Sequence, residues 1–143
     1  MAGHWQKWRG DMREILFRAK RVDNEEWMEG SLITLDADRG YYFIVEPYFS
    51  ASTLPIRDLI YDHTHLVFPE TICQYTGLTD KNGNKIWEND VVNGIESSLD
   101  GFEHHYRVKV DFDFMLLVRI EYSCDIEVIG NIFDNPELME RMG

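Results

Sequence analysis

Between His105 and Phe114 the chain alternates in chemistry, residue by residue. Tyr106, Val108, Val110 and Phe112 form one set; His105, Arg107, Lys109, Asp111 and Asp113 form the other, polar throughout. A repeat of two residues places each set on its own face of an extended strand. Such a segment has to lie across a core with one face in water, the condition of an antiparallel sheet. It also needs neighbours, since an isolated pair of strands is marginal in water.

The rest of the chain supplies those neighbours. A strand is expected from Ile15 to Val22, a turn at Asp23-Asn24-Glu25-Glu26, and a return strand from Trp27 to Leu35. Asp36-Ala37-Asp38-Arg39-Gly40 reads as a hairpin loop, because Asp and Gly tolerate the backbone angles it requires. Tyr41–Glu46 and Tyr61–Phe68 continue the β pattern around an irregular stretch at 47–55, with one helical turn expected at Ile56–Tyr61. Asn82-Gly83 is the strongest short hairpin signal in the chain and joins Ile72–Leu78 to Ile86–Val92. Met115–Tyr122 and Ile126–Ile129 are read as further strands. Asn135-Pro136, an N-cap with proline at the first helical position, opens a short C-terminal helix. The fold class is mainly β with minor helix.

Residues 1–11 stand apart. They carry Trp5 and Trp8 between two glycines and precede a second methionine, Met12, which runs straight into the first strand. They are expected to be a poorly ordered extension. Pro69 suggests a division of the remainder into 12–68 and 69–143.

Charge narrows the function. The 26 acidic and 14 basic residues leave a net charge of −12. Nucleic-acid affinity rests on Lys and Arg displacing counterions, so this balance opposes it, as it opposes anionic membrane surfaces. No run approaches a membrane span. Cys73 and Cys124, without the paired spacing of a zinc site, read as reduced, buried thiols of a cytoplasmic protein.

Three segments resemble the YopX family of phage and prophage proteins. The opening run is Met12-Arg13-Glu14-Ile15-Leu16-Phe17-Arg18-Ala19. The central run Gln74-Tyr75-Thr76-Gly77-Leu78-Thr79-Asp80-Lys81-Asn82-Gly83-Asn84-Lys85-Ile86-Trp87-Glu88-Asn89-Asp90-Val91-Val92 is the most specific. Glu127-Val128-Ile129-Gly130-Asn131-Ile132-Phe133-Asp134-Asn135-Pro136-Glu137-Leu138 is similar to the closing motif. Asn89 stands where the family usually has glycine; both residues enter the left-handed region readily, so a sharp turn is kept. The resemblance implies an SH3-like barrel in the second half, preceded by a β-meander, and it implies no activity.

The central run reads first as turn formers and packing residues. Tyr75 and Trp87 are the candidate binding residues, as an aromatic groove of the kind SH3-like barrels offer to peptides. His63-Thr64-His65 places two imidazoles on one strand face. Two ligands are half a zinc site, and Asp62 should point away, so no metal or cofactor is expected. No catalytic serine or cysteine motif, P-loop or dinucleotide fingerprint is present. The leading expectation is a phage accessory protein acting as a small protein-interaction module on a host or phage protein, with self-association possible in principle. A metal-dependent hydrolase or metal-binding protein using His63 and His65 is the alternative, and nucleic-acid handling, disfavoured by charge, is the third.

Overall fold

The computed structural model describes residues 14–46 and 63–140. The expectations for residues 1–11, the 47–55 stretch, the helical turn at 56–61 and Asp62 lie outside these residues. The chain divides into two compact units, Ile15–Gln74 and one built on Tyr75–Gly143, with the boundary inside a strand.

The first unit holds β1 (Phe17–Lys20), β2 (Trp27–Asp36), β3 (Tyr41–Val45) and β4 (Thr64–Val67), and begins β5 (Cys73–Thr79). The strands are antiparallel in the order β4-β3-β2-β1-β5, with Phe17 and Arg18 opposite Gln74 and Cys73. Both expected turns form. Asn24 accepts from the Glu26 N–H at 2.9 Å, and Glu25 takes a positive φ of 61°. A single 3-10 turn at Ala37–Arg39 ends on Gly40, whose φ of 75° is natural only for glycine. The bridge Arg21–Val67 draws the end of β1 to β4, flanked by Val22 N–H to Leu66 O at 3.0 Å and Phe68 N–H to Lys20 O at 2.9 Å. Ala19, Ile44 and Val67 are buried at the centre, with Phe17, Met28, Leu32, Tyr42 and Ile72 packed around them.

The second unit takes up β5 at Tyr75. It continues with β6 (Lys85–Trp87), β7 (Asp90–Ser97), β8 (Glu103–Lys109), α1 (Phe114–Glu121), β9 (Cys124–Asn131) and α2 (Glu137–Glu140). A three-stranded ladder runs β8-β7-β9. The expected alternation holds as far as Val110: Tyr106 and Val108 pack on the core and Val110 is fully buried beside Ile86, Val92, Ile120 and Ile126. The strand ends at Lys109, and Phe112, expected on the covered face, is 38% exposed. The α2 turn follows Pro136, where it was expected.

One element differs in kind. The apolar run from Met115 to Tyr122, expected as a strand, is helix α1. Short apolar runs fit either period, and here the capping decides. Asp113 is the N-cap, its carboxylate accepting from the Leu116 N–H at 3.1 Å. Leu116, Leu117 and Ile120 then face the core at helical spacing. The SH3-like barrel is also not reproduced as a closed ladder among the described residues. Where β5 ends it meets β9 through one main-chain bond, Lys81 N–H to Ile126 O at 2.8 Å, and one carboxylate, Asp80, which accepts from the Val128 N–H at 3.0 Å.

The thiols also differ from expectation. Cys73 is buried, its thiol donating to Thr71 O at 3.2 Å, but Cys124 is exposed at the start of β9, and neither forms a disulfide. The first position of β9 lies at the border of its ladder, where one face remains in water.

Candidate functional site

The central run folds into a hairpin in which nearly every polar group is used. Asp80 is the organising residue. One carboxylate oxygen accepts from the Asn82 and Asn84 N–H groups, both at 2.9 Å, and the other takes the Val128 N–H. Burial pushes the Asp80 carboxyl up, but the N–H groups of Val128, Asn84 and Asn82 outweigh it and hold the group below its ordinary value. The Gly83 N–H returns to Asp80 O at 3.0 Å, completing the turn. Asp90, almost fully buried, accepts from the Trp87 N–H at 2.8 Å. Asn89 takes a φ of 70°, the left-handed turn anticipated from its place in the sequence.

The closing motif meets this hairpin directly. The Ile132 N–H bonds to Asn89 O at 3.1 Å, and Asn131 lies opposite Asp90. Asn131 Oδ1 accepts from the N–H groups of Phe133 and Asp134, both at 2.9 Å. Two segments far apart in sequence are therefore one interlocked corner of the second unit.

Tyr75 and Trp87 are strand partners in β5 and β6. Their ring centroids lie 5.5 Å apart with planes tilted by 48°, and the residues are 7% and 3% exposed. Lys85 Nζ lies 5.9 Å from the Tyr75 ring centroid. The two rings face one another and contribute mainly packing.

His63 and His65 are brought together in the first unit, joined by a residue that the sequence pattern did not reveal. Glu46 lies between them, with one oxygen 2.8 Å from His63 Nδ1 and the other 2.9 Å from His65 Nε2. Glu46 N–H also donates to His63 O at 2.9 Å. The His63 hydrogen bond, with that of His65, holds the Glu46 carboxyl below its usual range against the opposing effect of burial. The carboxylate ties two imidazoles together. Among the described residues no group of three or more His, Cys, Asp or Glu is set to hold a metal ion. His104 and His105 belong to the other unit, where His104 Nε2 lies 3.1 Å from Ser98 Oγ.

The basic run near the N-terminus is also engaged locally. Arg18 and Lys20 lie over the Trp27 ring, at 4.6 and 5.4 Å from its centroid, and Arg21 pairs with Asp23 at 2.6 Å. These cations serve the first sheet.

Two surface features of the second unit remain. An open groove of about 640 Å³ crosses the polar face of the β8-β7-β9 ladder. Its charges are mixed: Arg107 donates to Asn93 Oδ1 at 3.0 Å, and Lys81 lies 3.6 Å from Glu127. The second feature is apolar. Phe114 and Met115, in the first turn of α1, are 78% and 72% exposed, and Phe112 beside them is 38% exposed. The far end of the helix is fixed: Arg119 forms a two-pronged pair with Glu96 at 2.7 and 2.9 Å and lies over the Tyr106 ring at 3.9 Å. The apolar side chains are thus displayed from an anchored element.

Fold and surface together define a small, mainly β protein whose motif residues brace its own structure. The chain belongs to the YopX family, whose model, described as YopX protein, matches residues 16–140. No curated protein matches it. It is similar to the crystal structure of protein EF1440 from Enterococcus faecalis, with 25% identity and a TM-score of 0.47 over 89% of this chain and 99% of that one.

Proposed function

We propose that this is an accessory protein of a phage or prophage, working in the host cytoplasm as a small β protein-interaction module. The observation that carries the reading is the cluster of Phe112, Phe114 and Met115, displayed in water from the anchored helix α1. Large exposed apolar side chains held on a rigid element are the usual core of a protein interface, and aromatic residues and methionine are enriched there. Burying Phe114 and Met115 against a partner supplies a central anchor. The second unit carries the SH3-like part of the reading, with the Tyr75–Trp87 pair as a rigid support within it. The net charge of −12 favours a partner with basic surface around an apolar centre.

The test is a comparative capture experiment. Wild type and the double variant Phe114→Ser/Met115→Ser are used as bait in lysate of infected cells, after circular dichroism has shown the same fold. Phage or host proteins retained by the wild type and depleted roughly tenfold or more by the variant support the reading. Identical retention by the two baits removes its basis.

A further inference from the structure

β8 forms one border of the β8-β7-β9 ladder, and among the described residues no strand lies on its other side. The opposite border differs, because Lys81 and Asp80 bond to β9 at Ile126 and Val128. On β8 the alternation of main-chain groups is fixed by two bonds at its ends. The Val110 N–H donates to Asp90 O at 2.8 Å, and the Ser98 N–H to Phe102 O at 3.0 Å. In the antiparallel register these make His104, Tyr106 and Val108 face β7, and turn the main chain of Glu103, His105, Arg107 and Lys109 outward. An edge of outward donors and acceptors is a template for another strand.

We propose that this edge pairs with β8 of a second copy of the chain, antiparallel about a two-fold axis at Tyr106. Only residues with outward main chain bond across such an axis, so odd-numbered positions must face odd-numbered ones. The register centred on Tyr106 overlaps all seven residues of the strand. It sets Glu103 of each copy against Lys109 of the other, and His105 against Arg107. Opposite charges directly across antiparallel strands attract. Moving the axis by one residue sets His105 against itself or Arg107 against itself and leaves an end unpaired.

The edge is also suited to self-pairing in an acidic protein. The chain carries a net charge of −12, yet β8 sets Arg107 and Lys109 against the single carboxylate Glu103. Within one copy Lys109 Nζ lies 3.2 Å from Asp111, a partly exposed pair that is exchanged at little cost. Phe102, 68% exposed, lies just before the paired strand, and Phe112 lies beyond its other end. The contact is isologous and closes on itself, so it stops at two copies. Phe114 and Met115 lie beyond the paired strand, and this proposal stands independently of partner docking there.

Sedimentation equilibrium of the full chain decides it, over roughly 1 to 100 µM, the range in which a micromolar dimer dissociates. The 16.9 kDa chain is expected to double in mass across this range. Glu103→Lys should raise the dissociation constant at least about tenfold, since two attractive cross-strand pairs become repulsive. The exchange Glu103→Lys/Lys109→Glu restores the complementarity and should restore the dimer. His105→Pro removes an outward N–H without breaking a bond to β7, and should give a folded monomer. A wild type that stays monomeric, or folded Glu103→Lys and His105→Pro variants that dimerise as tightly as the wild type, would overturn the proposal.

Discussion

Replacing Asp80 by alanine removes the acceptor of three main-chain N–H groups and of the Asn84 side chain at once. The Val128 N–H is the costly donor to strand, because it reaches Asp80 from the adjoining strand β9 and has a half-buried site. A bond to a charged acceptor contributes about 1.5–3 kcal/mol. Asn82 and Asn84 are exposed, so their N–H groups regain water and each loss costs only about 0.5 kcal/mol. Against this, alanine escapes the desolvation that the buried carboxylate suffers. The balance is a loss of about 2–3 kcal/mol, read from urea unfolding followed by circular dichroism. Asp80→Asn keeps the shape and one acceptor oxygen but presents an N–H₂ group where a donor already points, and should lose somewhat less. The pH dependence has a definite sign. The folded carboxyl titrates below its unfolded value, so its contribution is complete above about pH 4 and is lost as pH falls through the folded value. The gap between wild type and Asp80→Asn should therefore narrow on acidification. A loss below about 1 kcal/mol for Asp80→Ala, or a gap that does not change with acid, would refute the reasoning.

Three further outcomes are expected. Gly94→Ala should destabilise by about 1–3 kcal/mol in urea, because the new Cβ would lie 2.6 Å from the Tyr106 ring and from Ile126 Cδ1 in a packed region. Asn89→Ala should cost about 1 kcal/mol at its φ of 70°, while Asn89→Gly should be tolerated within a few tenths, as parallel denaturation curves will show. Fluorescence titration with duplex and single-stranded oligonucleotides should find no binding tighter than about 1 µM at about 150 mM salt, given the −12 charge and the engagement of Arg18, Lys20 and Arg21 within the first sheet.

The candidate site was only partly legible in the sequence. His63 and His65 share a spacing of two, but β4 begins at Thr64, so only His65 lies on the strand that the pattern suggested. Glu46, which joins them, is far away in sequence and comes into place only because β3 and β4 pair antiparallel. Phe114 and Met115 look like core residues when counted as part of an apolar run. Their exposure follows from the helical period, which sends Leu116, Leu117 and Ile120 inward instead. Tyr75 and Trp87 were recognisable as aromatic neighbours across a hairpin, but the burial of both rings depends on the packing around β6.

Local chemistry was sufficient wherever the cause was local. The alternation from Tyr106 to Val110 has one solution, a strand with one face covered, and the structure adopts it. Asn82-Gly83, Asp36–Gly40 and Asn89 specify turns because few other residues tolerate their backbone angles, and those turns form. Tertiary structure decided what local preference left balanced. Met115–Tyr122 fits strand and helix alike, and Asp113 as a cap, together with a core waiting for Leu116 and Ile120, makes it a helix. Whether the second half closes as a ladder was likewise beyond any local pattern. It turns on where β5 ends against β9, and there the carboxylate of Asp80 stands in for a strand bond. Long-range pairing is a property of the assembled chain, because its hydrogen bonds join groups that sequence alone does not place side by side.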